Sequence, residues 1–318
     1  MRTIAICNLK GGVAKTTTAV NLAADLARDF GRRVLVVDAD SQANATSFLG
    51  GDRDLAGMAA LLQGEICGGN PLELQSTNVD GVKLVSGSPE LMDLDLTKAG
   101  EGAVDVKCLR KLRNLLEVTH ETEPPELATV LFGEPFDYCL IDCPPAFNAA
   151  SSAALIAADE VLIPVKLDAF ALEGMANLLQ QIANMRKLNP RLRVLGVLPV
   201  MWYKTETTIK AESTLRNAGL KVLPRIRRSD RVDDMTYAQA PLIVCSPRSG
   251  PCQDYRRLAA RIEFQATGPD RPPTEAEIPQ PLRAHDTKKK RGRPGRRIAT
   301  AACALPRNDR EGGERDGE

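Results

Sequence analysis

A ten-residue segment between an apolar run and an amphipathic helix constrains this chain more than any other part of its sequence. Residues 8–17 read NLKGGVAKTT and follow the apolar run at 3–7. In such a loop, glycines let backbone N–H groups face phosphate oxygens, and the N-terminus of the following helix adds positive potential. Lys15 would bridge the β- and γ-phosphates of a triphosphate, and the Thr16 hydroxyl would bind Mg²⁺. The segment therefore predicts a phosphate-binding loop.

This loop departs from the general phosphate-loop pattern G-x-x-x-x-G-K-[ST]. Leu9 and Ala14 stand where that pattern has its two glycines. We expect Ala14 to be tolerated if its backbone φ is negative, because only a positive φ demands glycine. For the segment taken alone, a glycine turn followed by a chance Lys-Thr-Thr is the alternative.

Short apolar runs alternate with amphipathic segments through the first 265 residues. The runs are rich in Val, Ile and Leu, which is typical of strands buried on both faces of a parallel sheet. They cover 3–7, 33–38, 82–87, 138–142, 160–165 and 193–200. The helices are predicted at 16–30, 104–118, 149–157, 171–188, 206–217 and 252–264. This order predicts a doubly wound α/β fold, with a mostly parallel sheet flanked by helices and ligands beyond the carboxyl ends of the strands.

The charge distribution divides the chain near residue 265. Of the 42 basic and 41 acidic residues, 266–318 hold 12 and 9, which leaves 30 and 32 for residues 1–265. Few large apolar residues remain in 266–318 to offset the entropy of ordering. We therefore predict one globular domain at 1–265 and a disordered tail at 266–318. The tail has no apolar helical face with which to bind a membrane.

Several kinds of chemistry are not expected from this composition. Only two histidines are present, so neither a histidine triad nor a histidine-rich metal site is indicated. The eight cysteines form no CxxC pair, and Cys139 and Cys143 are interpreted as packing residues. No apolar run approaches the ~18 residues of a membrane helix, and Met1 leads directly into a strand, so no signal peptide is expected. These features are typical of a cytoplasmic protein.

Four motifs, in order along the chain, resemble the ParA/MinD family of ATPases. Residues 10–17, KGGVAKTT, resemble the deviant Walker A motif K-G-G-x-x-K-[ST]-T of that family. Residues 38–46, DADSQANAT, resemble its switch I segment D-x-D-P-Q-x-N-x-T. Residues 136–145 resemble the Walker B strand and its D-x-P-P end, and 170–174 resemble the F-A-L-E-G helix start of ParA proteins. The resemblance implies a P-loop ATPase with ATP and Mg²⁺ as cofactors.

The resemblance also implies roles for individual residues. Lys10, Lys15 and Asp40 would be catalytic, with Asp40 positioning the attacking water. Mg²⁺ would be held by Thr16, with Asp38 supporting its shell and Asp142 acting through water. The residues implied to hold the nucleotide are Lys10, Gly11, Gly12, Val13, Ala14, Lys15, Thr16 and Thr17. Lys10 would cross to the nucleotide of an opposing subunit, so that a homodimer encloses two ATP molecules and hydrolyses them slowly.

In ParA proteins the ATP-dependent switch segregates DNA. The implied ATP dimer binds chromosomal DNA without sequence preference, and a ParB-like partner stimulates hydrolysis and releases it. This implies a nucleoid-associated protein that moves a plasmid, an integrated element or a chromosome, with no membrane partner. Arg231 is the best positional match to the DNA-binding residues of the family, and the nearby candidates are Lys204, Arg225, Arg227 and Arg228. The alternative for these residues is a merely solvated basic face.

The tail contains a second candidate for DNA binding. Residues 288–297 read KKKRGRPGRR, and the Arg-Gly-Arg-Pro within them resembles the core of an AT-hook. Arg291 and Arg293 would lie in the narrow, negative minor groove of A·T-rich DNA. A generic polybasic segment is the alternative. Because the first strand begins at Arg2, the N-terminal helix-turn-helix of larger plasmid ParA proteins, and their repressor activity, are not expected.

A second function on the same scaffold stays open at this stage. It is iron–sulfur cluster assembly or electron transfer, as in the Mrp scaffold ATPases and the nitrogenase iron protein. Those proteins carry cluster-binding cysteines at a subunit interface, often as CxxC, and this chain lacks that pair.

Overall fold

Seven strands form a single sheet in the computed structural model, which describes residues 1–55, 57–63, 74–94, 110–113, 116, 135–168 and 171–267. The strands are β1 Arg2–Ile6, β2 Val34–Asp38, β3 Gln75–Ser76, β4 Val82–Val85, β5 Tyr138–Asp142, β6 Glu160–Lys166 and β7 Arg193–Val200. Their spatial order is β3-β4-β2-β5-β1-β6-β7. All neighbours are parallel except β3 and β4. The mostly parallel sheet predicted from the sequence is thus confirmed.

The helices follow the strands as the sequence pattern predicts. They are α1 Lys15–Phe30, α2 Asn44–Phe48, α3 Met58–Gln63, α4 Ala149–Ala157, α5 Ala171–Met185, α6 Glu206–Asn217, α7 Asp233–Ala238, α8 Leu242–Cys245 and α9 Gly250–Thr267. Each of α2, α3, α7 and α8 has too few residues for a helical period to show in the sequence. Of the predicted helix at 104–118 the structure describes 110–113 and 116, which are helical, and the rest lies outside the described residues. Of the predicted tail at 266–318 it describes only 266 and 267, which end α9.

Two apolar layers enclose the sheet. In β1, Ile4 and Ile6 pack on the side of α1 and α9, whereas Ala5 packs on the side of α4 and α5. All three side chains are fully buried. Because successive residues of a strand face opposite sides, an apolar residue is needed at every position of such a strand. Burying an Ile or Leu stabilises the fold by roughly 1.5–3 kcal/mol, so these layers hold the strand ends in fixed positions.

The carboxyl ends of β1, β2 and β5 meet at the same edge of the sheet. Asp142, the last residue of β5, pairs in register with Ile6 of β1 and with Asp38 of β2. The loops that follow these strands therefore converge, and this carboxyl edge is where ligands of doubly wound sheets bind. Among the described helices, none combines the length and apolar character that crossing a membrane requires.

Candidate functional site

The loop between β1 and α1 leaves the positive end of α1 open. Ala14 is the N-cap of α1 and provides no side-chain hydrogen bond, and the first turn contains no acidic residue. The first backbone N–H groups of a helix have no intrahelical acceptor, so an uncapped N-terminus attracts an anion. Lys15 is buried, and its Nζ donates to the backbone oxygen of Lys10 at 3.1 Å, over the loop. The loop thus combines open N–H donors with an ammonium group.

The backbone of Ala14 does not meet the condition under which alanine would be tolerated without strain. Its φ is +59°, in the left-handed region, and not negative. Gly12 adopts a similar value of +69°, which glycine does without steric cost. For alanine the left-handed conformation costs roughly 1–2 kcal/mol. Ala14 therefore stores strain at the point where the loop enters α1. Ala43, in the predicted switch I segment, also has a positive φ, of +49°.

Asp38 is fully buried at the end of β2 and is already hydrogen-bonded. Its Oδ2 accepts from both the backbone N–H and the hydroxyl of Thr46, each at 2.8 Å. Its Oδ1 accepts from the N–H of Asp40 at 3.2 Å. Burial raises the pKa of Asp38 above its usual range, and these hydrogen bonds only partly oppose that effect. Asp38 therefore ties the segment 40–46 to the sheet.

Asp142 is also fully buried, but its two carboxylate oxygens accept no hydrogen bond of normal geometry within the described residues. Burial and the neighbouring charge of Asp38 raise the pKa of Asp142 well above its usual value, and the Thr16 hydroxyl and Lys15 act in the opposite direction. A buried carboxylate without partners is costly unless a cation compensates it. Mg²⁺ binds through one or two protein oxygens, water and phosphate. Asp142 and Thr16 therefore fit a magnesium ion that accompanies a phosphate ligand.

Within the described residues, no all-protein metal cage accompanies this pair. In the part of the chain that the structure describes, His, Cys, Asp and Glu nowhere group in threes that could hold a metal ion. Cys7, Cys139, Cys143 and Cys252 are buried, and Cys245 is half-buried. Their positions in the core agree with the packing role predicted for Cys139 and Cys143.

Asp40 lies on the turn that leads from β2 to α2. It is 8% exposed, and its Oδ1 accepts from the N–H of Gln42 at 3.0 Å. Gly87, after β4, lies against this turn: a Cβ there would come within 2.7 Å of the Asp40 carbonyl oxygen and 2.9 Å of Asp38 Cγ. Its N–H donates to the Thr46 hydroxyl at 3.0 Å. Gly87 is a site residue that sequence reasoning missed, since no local pattern reports so close an approach.

Lys10 points to the outer rim of the site. Its Nζ lies 2.7 Å from Oδ2 of Asp168, which follows β6. Asp168 was also missed, because it is 158 residues away in the chain. The structure thus places the amines of Lys10 and Lys15 in different surroundings, one exposed and paired with a carboxylate, the other buried over the loop.

A cleft of about 350 Å³ opens beside the start of α1. Ala14 and Thr17 form part of one wall, and Tyr255 of α9 also lines the cleft. The remaining lining residues come from the ends of β6 and β7 and from the segment 226–233: Lys166, Val200, Met201, Tyr203, Ile226, Arg227, Arg228, Ser229, Asp230, Val232 and Asp233. The volume is in the usual range for small-molecule sites.

The predicted DNA-binding arginines differ in how they are held. The Arg225 guanidinium donates twice to Glu212, at 2.7 and 3.1 Å, and stacks 4.2 Å from the ring centroid of Trp202. Arg227 donates to both carboxylate oxygens of Asp254, at 2.8 and 2.9 Å. Hydrogen bonds from Arg225 and Arg216 hold the pKa of Glu212 below its usual value, although burial acts to raise it. These two arginines are therefore fixed within the protein.

The other described basic candidates lack such two-donor pairs with a carboxylate. Arg231 contacts Asp234 at 3.4 Å, and its side chain is 69% exposed. Lys204 and Arg228 are exposed at the surface near the cleft. Arg291 and Arg293 lie outside the described residues.

Comparisons with known proteins connect this site to nucleotide chemistry. A family model described as an AAA domain matches residues 1–194. The chromosome-partitioning ATPase Soj of Thermus thermophilus is 39% identical over 266 residues, which cover 82% of this chain and 95% of that protein. The chromosome partitioning protein ParA of Caulobacter vibrioides is 32% identical over 268 residues, covering 82% and 94%.

Solved structures show the same fold. Cobyrinic acid a,c-diamide synthase from Mycobacterium smegmatis, with a bound ATP analogue and magnesium, superposes with a TM-score of 0.63 at 27% identity, over 86% of this chain and 99% of that chain. The cell division ATPase MinD of Pyrococcus furiosus superposes with a TM-score of 0.60 at 25% identity, over 83% and 99%.

Proposed function

Because this chain belongs to the ParA/MinD family of ATPases, we propose that its ATP-bound form is a dimer that holds DNA and releases it on hydrolysis. It is a partitioning ATPase, and its cofactors are ATP and Mg²⁺. The proposal adds the dimer, the non-specific DNA, the ParB-like partner that stimulates hydrolysis, and the residues that carry each step.

The single observation that best supports this mechanism is the buried carboxylate of Asp142, which accepts no hydrogen bond of normal geometry within the described residues and lies beside the open N-terminus of α1. The backbone N–H groups of residues 10–17 and the Lys15 amine bind the phosphates, and Thr16 and Asp142 would hold Mg²⁺. When bound there, Mg²⁺ would supply positive charge to the phosphate oxygens. Asp40 orients the attacking water, and Asp38 holds the segment 40–46 against the end of β2. Positioning and charge stabilisation account for nearly all of the rate in this kind of reaction.

We further propose that the cleft beside α1 receives the nucleoside part of ATP. Ala14 and Thr17 belong to the phosphate-binding loop and also line this cleft, so one ligand can extend from the loop into the cleft. The apolar and aromatic side chains of Ile226, Met201 and Tyr203 offer a surface for a flat base.

The DNA surface, in this proposal, uses the exposed cations Lys204, Arg228 and Arg231. Arg225 and Arg227 shape this surface and contribute their long-range charge, while their guanidinium groups remain paired with Glu212 and Asp254. Exposed Lys and Arg side chains bind the phosphate backbone without reading sequence. This is the behaviour that a partitioning protein needs on chromosomal DNA.

The test is DNA co-sedimentation of the full chain with ATP, with ADP and without nucleotide. We expect DNA binding with ATP only. Lys15→Ala should abolish it, whereas Asp40→Ala should bind with ATP and fail to be released when a ParB-like partner is added. Binding that is equal in all three nucleotide conditions, for the wild type and both variants, would rule out the nucleotide switch.

The tail adds a separate prediction. If Arg291, Arg293 and their basic neighbours neutralise ~4 phosphates, they contribute a slope near −3.6 to the log–log salt dependence of DNA binding. Deleting residues 266–318 should therefore flatten that dependence while leaving the ATPase rate unchanged. An unchanged slope in a salt titration would exclude the tail from DNA binding, and a selective loss on A·T-rich DNA would favour the AT-hook over a generic polybasic segment.

A further inference from the structure

The amino group of Lys10 is held by a residue of its own chain. Its Nζ lies 2.7 Å from Oδ2 of Asp168, the second residue after β6. The two side chains are 43% and 29% exposed, so the ion pair stands at the rim of the site and is accessible to water and to another protein. A role at the nucleotide of an opposing subunit would require the same amine to leave this carboxylate.

The backbone around this ion pair is fixed by other contacts. Asn8 donates through Nδ2 to the Pro164 carbonyl oxygen at 2.7 Å, and its Oδ1 accepts from the N–H of Lys10 at 3.0 Å. The carbonyl of Lys10 accepts from Lys15 Nζ at 3.1 Å. Lys10 can therefore change partners by rotation about its own side-chain bonds, while the loop keeps the shape that phosphate binding needs.

We propose that Asp168 is a positioning residue that retains Lys10 within its own subunit and thereby sets how readily two ATP-bound chains pair. This inference rests on the proposed function, in which Lys10 acts at the nucleotide of the opposing subunit. Each chain gives up one Lys10–Asp168 ion pair when the dimer forms. Asp168 thus competes for the Lys10 amine with the phosphates of the nucleotide in the partner subunit. The Lys10–Asp168 ion pair therefore disfavours dimer formation.

The size of the effect follows from the exposure of the pair. An exposed ion pair shifts an equilibrium by about two- to fivefold. Two such pairs break in each dimer, so removing the carboxylate is expected to lower the dimer Kd by about 4- to 25-fold. Asp168→Asn keeps the shape of the side chain and removes its charge, which makes it the appropriate variant.

The experiment measures the dimer Kd of the full chain by sedimentation equilibrium, with Mg²⁺ and a non-hydrolysable ATP analogue. The variants are Asp168→Asn, Lys10→Ala and the double variant. Asp168→Asn should lower the dimer Kd when Lys10 is present. In the Lys10→Ala background, the same substitution should leave the dimer Kd unchanged. A matched control is Glu206→Gln, which removes an exposed ion pair of 2.6 Å with Lys210 on α6 and should leave the dimer Kd unchanged.

A second readout reports on Lys10 directly. Acylation of lysine amines in the nucleotide-free protein, quantified by peptide mass spectrometry, should be about two- to fivefold faster at Lys10 in Asp168→Asn than in the wild type. Lys210 should respond only to Glu206→Gln. If Asp168 has a purely structural role, Asp168→Asn should not change the acylation rate at Lys10. Its effect on the dimer Kd should then be the same with Lys10 and with Lys10→Ala.

The outcomes separate the two proposals. A wild type that dimerises, together with an Asp168→Asn variant that dimerises equally or more weakly, overturns this inference and leaves the proposed function intact. A wild type that stays monomeric at every concentration of the analogue overturns the proposed dimer, and this inference with it.

Discussion

The carboxyl edge of the sheet and the basic strip at residues 225–231 are both rich in charge, but Asp142 of the edge and the arginines Arg225 and Arg227 of the strip differ in how far the protein satisfies them. At the edge, the two buried oxygens of Asp142 accept no hydrogen bond of normal geometry within the described residues, and α1 begins without a side-chain cap. In the strip, Arg225 and Arg227 are each bound through two donors to a carboxylate. A site that binds a ligand leaves polar groups for the ligand to complete, whereas residues that maintain shape, as Arg225 and Arg227 do, have their hydrogen bonds completed within the protein.

The largest expected effect concerns Lys15, which is buried at the carboxyl edge of the sheet. Lys15→Ala removes the ammonium over the phosphate-binding loop and should lower kcat/KM for ATP by about 10³-fold, as loss of a preorganised charge contact does. A phosphate-release assay checks this. Lys210→Ala, on the exposed face of α6, is the control and should keep the wild-type rate. A Lys15→Ala variant with near-normal turnover would show that the edge is not the phosphate site.

Asp40→Ala separates binding from chemistry at the same edge. Loss of the group that orients the attacking water should lower kcat by about 10²-fold. ATP affinity should change little, because the phosphate-binding loop and Asp142 remain. Single-turnover kinetics and equilibrium binding of labelled ATP measure the two quantities. Equal losses in both would mean that Asp40 maintains the loop and does not act in the chemical step.

The next prediction tests the strip. Arg227→Ala leaves the nearly buried Asp254 without its two-donor partner and should lower the free energy of unfolding by about 1–2 kcal/mol. Arg231→Ala, whose ion pair is exposed, should change it by less than about 0.5 kcal/mol. Urea denaturation of both variants makes the comparison. If the two variants lose the same stability, the contrast between a structural arginine and a surface arginine fails.

The smallest expected effect concerns the strain at Ala14. Ala14→Gly relieves a left-handed alanine but adds freedom to the unfolded chain, so a net gain of about 0.5 kcal/mol is expected. Ala211→Gly, within α6, is the control and should lose about 1 kcal/mol. Thermal unfolding resolves the difference in sign. A loss at Ala14 as large as the loss at Ala211 would contradict the strained conformation.

The sequence alone predicts those features that depend on local residue patterns. The start of α1 near Lys15 followed from a glycine loop ahead of an amphipathic run. The family resemblance assigned Asp38 and Asp142 to the same magnesium ion, and the register of β2 and β5 places the two residues side by side. The relatives and the sheet confirm the family and the fold that these patterns predicted.

The rest depends on contacts between distant parts of the chain. The sign of φ at Ala14 is set by how the loop closes onto α1, which the residue type does not reveal. Asp168 and Gly87 approach the site from other strands, and the carboxylates that hold Arg225 and Arg227 come from α6 and α9. The residue type does not tell which arginines of the strip are paired within the protein, and only the positions of the carboxylates in the fold reveal this.

The most direct test is the mass of the full-length chain by light scattering, with Mg²⁺ and ATP in the Asp40→Ala variant. The account predicts about twice the 34.4 kDa of one chain with ATP, and the mass of one chain with ADP or after Lys15→Ala in the same background. A single-chain mass at saturating ATP, or a doubled mass regardless of nucleotide, would contradict it.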